Sequence, residues 1–196
     1  MTPERLVAFS DGVVAIIITI MVLEIKVPAS EDADTFASLK PLIPTFLAYL
    51  LSFIHVGLYW NNHHHIYKLV KHVNGKALWA NLFFLFSLSL IPFTTDWLGE
   101  HYKSEAPVIL YGINLLLCGA AYQLMASILK KIKGNESLAG SLGKDIKGNA
   151  SVILYILGIA GSVFYPYIGI MVYIIVACIW LVPDKRLEVN IIEVDE

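Results

Sequence analysis

Six apolar segments dominate this chain, at residues 3–27, 41–70, 77–98, 106–131, 149–164 and 168–182. A helix crosses the ~30 Å of bilayer hydrocarbon in ~20 residues, so runs of this length read as membrane-spanning helices. Of the 196 residues, 57% are hydrophobic and 15% charged, against about 25% charged in a soluble domain. The expected fold is an all-α membrane protein with six transmembrane helices, forming one domain over residues 1–196. Cys118 and Cys178 both fall inside apolar runs, so no disulfide framework is expected. No nucleic-acid module or basic arm is visible. Glu4 and Asp11 break the basic lead of a signal peptide, and the first segment is expected to stay on the chain.

Charge between the segments sets the orientation. Eleven of the fourteen basic residues fall in alternate connections: Arg5, the lysines near 68–76, those at 130–147, and Lys185 and Arg186. The positive-inside rule places both termini in the cytoplasm, as an even helix count also requires. Residues 184–196 are then a polar cytoplasmic tail. The opposite loops carry Glu31, Asp32, Asp34, Asp96, Glu100 and Glu105. They read equally as an acidic vestibule for cations or as solvated loop charges.

The first segment is unusual. Arg5, Ser10 and Asp11 lie within two turns of one another, and the charge-free run from 12 to 23 spans only ~18 Å. Ionisable residues at membrane depth face a bundle interior or an aqueous path. Gly12, Ile16, Thr19 and Leu23 repeat at i, i+4, i+7 and i+11, one stripe of a helix. Turned inward among several copies, the stripe offers apolar rings that gate by dewetting and a hydroxyl ring that partly coordinates a cation. Packed against its own bundle, the same stripe is structural, with Thr19 bonding its own backbone.

The run Trp60-Asn61-Asn62-His63-His64-His65 invites a metal reading. Adjacent helical side chains diverge by ~100°, so three consecutive histidines cannot share one ion, and hydrogen-bonding roles are expected instead. His55, deeper in the second segment, is a candidate proton site or a satisfied bundle histidine. Asn81 needs amide partners in a dry setting. A polar network joining the first three helices accounts for Arg5, Asp11, the His63 region and Asn81 together.

The pattern Arg5-x-x-x-Phe9-Ser10-Asp11 resembles the first-helix signature of the lysosomal potassium-channel family (transmembrane protein 175) and its prokaryotic relatives. Trp60-x-x-His63 followed by Tyr67 is similar to that family's second helix, and Asn81 followed by Pro92-Phe93 to its third. The second half of the chain matches in helix count and length. The resemblance implies a potassium-permeable channel of the prokaryotic plasma membrane, with first helices lining the pore and no carbonyl filter loop. No TVGYG-like stretch occurs here. It implies a hydrophobic constriction at Ile16, with Thr19 and Leu23 as further layers. One six-helix repeat implies a homotetramer. Arg5, Phe9, Ser10, Asp11, Trp60, His63 and Asn81 would form the polar network supporting the pore. No catalytic residue, metal or cofactor is implied beyond the permeating potassium ions. The competing reading is a proton-coupled carrier or metal-using membrane enzyme built on the helix-two histidines. No nucleophile–base pair, phosphate loop or paired carboxylate at catalytic spacing accompanies it.

Overall fold

The computed structural model describes residues 2–28, 35–142 and 145–182. The tail at 184–196 and the acidic loop positions Glu31, Asp32 and Asp34 lie outside the described residues. Eight α-helices and one 3-10 helix make up the architecture of the described residues: α1 Pro3–Leu23, the 3-10 helix Phe36–Leu42, α2 Ile43–Lys68, α3 Gly75–Ser89, α4 Ile91–Glu100, α5 Glu105–Lys130, α6 Glu136–Leu142, α7 Ile146–Ser162 and α8 Pro166–Leu181. Pro3–Leu23, Phe36–Lys68, Gly75–Glu100 and Glu105–Lys130 are long and apolar enough to cross a membrane, and α7 and α8 are shorter apolar helices.

Three boundaries differ from the sequence expectation. α1 stops at Leu23, where Ile25 N–H turns back to Val22 O at 3.2 Å, one turn short of the expected segment end at residue 27. Its 21 residues still rise ~31 Å, a full hydrocarbon thickness. The third segment breaks at Leu90 into α3 and α4. Pro92, in the first turn of α4, has no N–H to give, and its ring would crowd the carbonyl four residues back. The stretch after α5 contains the short helix α6 rather than only loop.

α5 is the central post. It packs against α3, α4, α7 and α8, while α1 leans on α2, α3 and α4 from one side. Two apolar cores result. One joins α1, α2, α3, α5 and Leu138 of α6 around Phe84, Ile66 and Met125; the other joins α2, α4, α5, α7 and α8 around Tyr111 and Tyr173. The second core closes tightly at Gly112, where an added Cβ would run into the Tyr173 hydroxyl. Tyr173 uses that proximity to donate to Val108 O at 3.2 Å.

Candidate functional site

α1 is amphipathic in an unusual sense, because both of its faces are apolar and only one is covered. Leu6, Val14, Ile17 and Met21 bury one face in the subunit, together with Ser10. Gly12, Ile16, Thr19 and Leu23 point about 150° away from that face at 100° per residue. They are open: Ile16 is 58% exposed and Leu23 74%, and nothing lies within 4 Å of a Cβ added at Gly12. The stripe is therefore not packed against its own bundle. Thr19 does bond its own backbone, donating to Ile16 O at 2.9 Å. Spending its one hydrogen that way leaves the oxygen lone pairs free on the open face. Ile16 also borders a groove shared with Ser89, Pro92, Phe93 and Asp96, so the α3–α4 break faces this side of α1.

The buried face of α1 is tied to α2 and α3 by a directional file of hydrogen bonds. Ser10 Oγ donates to Leu6 O at 2.9 Å, which commits its only hydrogen. Its oxygen then accepts from Asn81 Nδ2 at 3.0 Å. With the amide nitrogen so engaged, Asn81 Oδ1 accepts from His63 Nε2 at 2.8 Å. His63 is thereby held with hydrogen on Nε2. Phe84 stacks on its ring at 5.9 Å and 10°, and Tyr67 sits 4.5 Å away. All three members of the file are buried, at 1%, 1% and 3% exposure for Ser10, Asn81 and His63.

A second tie lies at the rim. Trp60 Nε1 donates to Asp11 Oδ1 at 2.9 Å, and its ring stacks on His64. Asp11 is half-buried. Arg5 and Phe9 lie on the exposed side of α1, apart from these ties. Among the described residues Arg5 makes no ion pair with Asp11; Glu100–His101 is the one ion pair within 4 Å. So the structure brings Ser10, Asn81 and His63 together, pairs Asp11 with Trp60, and leaves Arg5 and Phe9 on the open side. The three histidines diverge as helix geometry requires, His63 inward and His64 and His65 half-buried. Among the described residues no group of three His, Cys, Asp or Glu is placed to hold a metal ion. Sequence reasoning missed Phe84. It follows Asn81 by three positions, on the same helical face, and that spacing was the available signal.

Comparison with known proteins gives concordant results. A family model described as endosomal/lysosomal potassium channel TMEM175 matches residues 5–92. A protein of Chryseobacterium sp. described as a potassium channel is 52% identical over 194 residues, covering 98% of this chain and 100% of that one. Another, from Streptomyces collinus and also described as a potassium channel, is 32% identical over 126 residues, 62% of this chain and 61% of that one. The crystal structure of a lysosomal potassium-selective channel TMEM175 homolog from Chamaesiphon minutus superposes with a TM-score of 0.80 at 28% identity, covering 91% of this chain and 96% of that one.

Proposed function

The chain belongs to the endosomal/lysosomal potassium channel TMEM175 family, and from that premise we propose that it is a potassium-permeable channel whose path is lined by the open stripe of α1. It is an integral, multi-pass membrane protein of a family of ion channels, not of enzymes. The observation that carries the proposal is the uncovered stripe itself. A helix of membrane-spanning length keeps Gly12, Ile16, Thr19 and Leu23 off its own subunit. Lipid could cover the aliphatic members, but the same side also carries Arg5, which is costly to expose to hydrocarbon. A water-filled axis between copies serves both.

In this reading each subunit is one six-helix domain with both termini in the cytoplasm, and four copies surround the axis. Ile16 forms the narrowest, apolar ring. Thr19, with its oxygen lone pairs unspent, forms the ring that partly replaces lost hydration, and Leu23 forms the outer apolar ring. The Ser10–Asn81–His63 file and the Asp11–Trp60 bond hold α1 at a fixed rotation, so that the stripe stays on the axis. Arg5 and Phe9 stand at the cytoplasmic mouth. No cofactor takes part, and the ligands are permeant monovalent cations. His63 and His64 are engaged with Asn81 and Trp60, and no observation favours the carrier reading over the channel.

The test is cation flux from liposomes containing only the purified protein. Passive potassium efflux, without any co-substrate, is expected; flux that saturates and demands a counter-substrate would make the chain a carrier. In the same assay Thr19→Val, similar in volume but lacking the oxygen, is expected to lower preference for potassium over sodium while leaving the pore conductive. Unchanged reversal potentials in mixed solutions would return Thr19 to a packing role.

A further inference from the structure

Away from α1, a cavity of about 40 Å³ lies between α2, α5, α7 and α8. Half-buried Asp145, Gln123 and Asn62 line one end, and fully buried His55 and Tyr155 line the other. His55 sits at the middle of α2, 3% exposed. Its Nδ1 is 2.9 Å from Leu51 O. A carbonyl only accepts, so Nδ1 carries the hydrogen, and in the neutral ring Nε2 is a bare acceptor. That Nε2 has no hydrogen-bond partner, alone among the buried side-chain nitrogens and oxygens of the described residues.

An orphaned buried acceptor beside a cavity whose wall carries several polar side chains points to water. Each water takes ~10–15 Å³ of such space and needs two to four polar partners. The partners are present. Tyr59 donates its hydrogen to Leu115 O at 3.2 Å and accepts from the Tyr155 hydroxyl, which leaves its oxygen one lone pair. Asp145 uses Oδ1 to accept from Gly148 N–H at 2.9 Å and keeps Oδ2. We infer that this cavity is a hydration site inside each subunit, a file of about three waters from Asp145 to His55 Nε2 that gives this nitrogen a proton route to the Asp145 end, independent of the α1 face.

The groups around it are consistent with that role. α2 contributes Tyr59, and α5 contributes Tyr111, edge-on to the His55 ring at 6.5 Å and part of the second core, and Cys118, part of the first. α7 contributes Tyr155 and Asp145, while α8 contributes Ala177 and Trp180, which do not titrate. Asp145 is the one carboxylate on the wall, so the acidic end and the basic nitrogen stand at opposite ends of the file.

The test uses the full chain, histidine-labelled with nitrogen-15 and reconstituted in lipid vesicles. Solid-state magnetic resonance reads magnetisation transfer from mobile water to the His55 ring, assigned by its disappearance in His55→Gln. The expected result is a neutral ring protonated on Nδ1 and in rapid contact with water. Val152→Phe, which fills the cavity from α7, should abolish the transfer while leaving the His63 signal in place. Should Val152→Phe fold poorly, Gly119→Val fills from α5, where an added Cβ meets only the Tyr59 hydroxyl at an ordinary 3.5 Å. A native His55 ring that takes up no magnetisation from water, or transfer that persists in a folded cavity-filled variant, overturns the inference.

Discussion

Ile16→Asn is expected to raise resting potassium flux by about tenfold or more, which corresponds to lowering the barrier by ~1.4 kcal/mol. In the proposed tetramer four isoleucines around the axis would make a throat with no group to replace an ion's hydration shell, and such a throat resists both water and ions. An asparagine ring supplies donors and acceptors at the same position and wets it, with poorer selectivity as the cost. The side chain is open in the subunit, so the substitution leaves the internal packing intact. Ile18→Asn is the control. Residue 18 points about 200° from residue 16, and it is half-buried against the first core. That variant should lose stability without gaining flux. Single-channel or liposome recordings of both, with thermal unfolding alongside, decide the matter. Raised flux in Ile18→Asn and none in a well-folded Ile16→Asn would place the path on another face.

Asn81→Leu is expected to be the most damaging single change in the polar file. It strands the His63 Nε2–H in a site 3% exposed and removes the donor to Ser10. An unpaired buried donor costs ~1–3 kcal/mol, and interhelical bonds in membranes average ~0.6 kcal/mol each. For a chain of this size ~1 kcal/mol lowers the unfolding temperature by ~2–4 °C, so a drop of several degrees is expected in detergent. Ser10→Ala, which leaves both other members paired to each other, should cost less. A second apolar change at His63 should restore part of the loss, since no donor is then stranded. Additive losses in the double variant would show that the residues act separately. Asp11→Asn is milder on this structure than its charge suggests, because the amide oxygen can still accept from Trp60.

Much of this was legible in the chain itself. The six apolar runs located the long helices, because bilayer thickness translates into run length, but they showed neither the break at Leu90 nor the short helix α6. The first-helix motif carried the family resemblance: the family match begins at its arginine, Arg5, and continues to residue 92. Polarity alone suggested a network of Arg5, Asp11, the His63 region and Asn81 at one membrane depth, but not which of them bond; the structure joins His63 to Asn81 and leaves Arg5 on the open side. Which face of α1 is covered was not legible. Both stripes are aliphatic, so periodicity leaves the choice open, and only the positions of α2, α3 and α4 resolve it. Nor could spacing show that Arg5 and Asp11 part company, one open and one bonded to Trp60. They are six positions apart, about 240° around the helix, but their reach across it depends on which neighbours stand beside each. The break at Leu90 was not legible: the expected segment runs unbroken over 77–98 with Pro92 near its far end, because a proline alone does not say whether it kinks or interrupts a helix.

The central claim is that the uncovered stripe of α1 faces an aqueous ion path. The most direct measurement is block of potassium flux by a water-soluble thiol reagent on single-cysteine variants. The exposed Cys178 is first replaced by serine, while Cys118 is buried and stays. Ile16→Cys and Thr19→Cys are predicted to react and lose flux, while Ile17→Cys and Met21→Cys, on the covered face, are predicted to stay unreactive and conductive. Ready modification of Ile17→Cys with block, alongside an inert Ile16→Cys, would contradict the assignment of the ion path to this stripe.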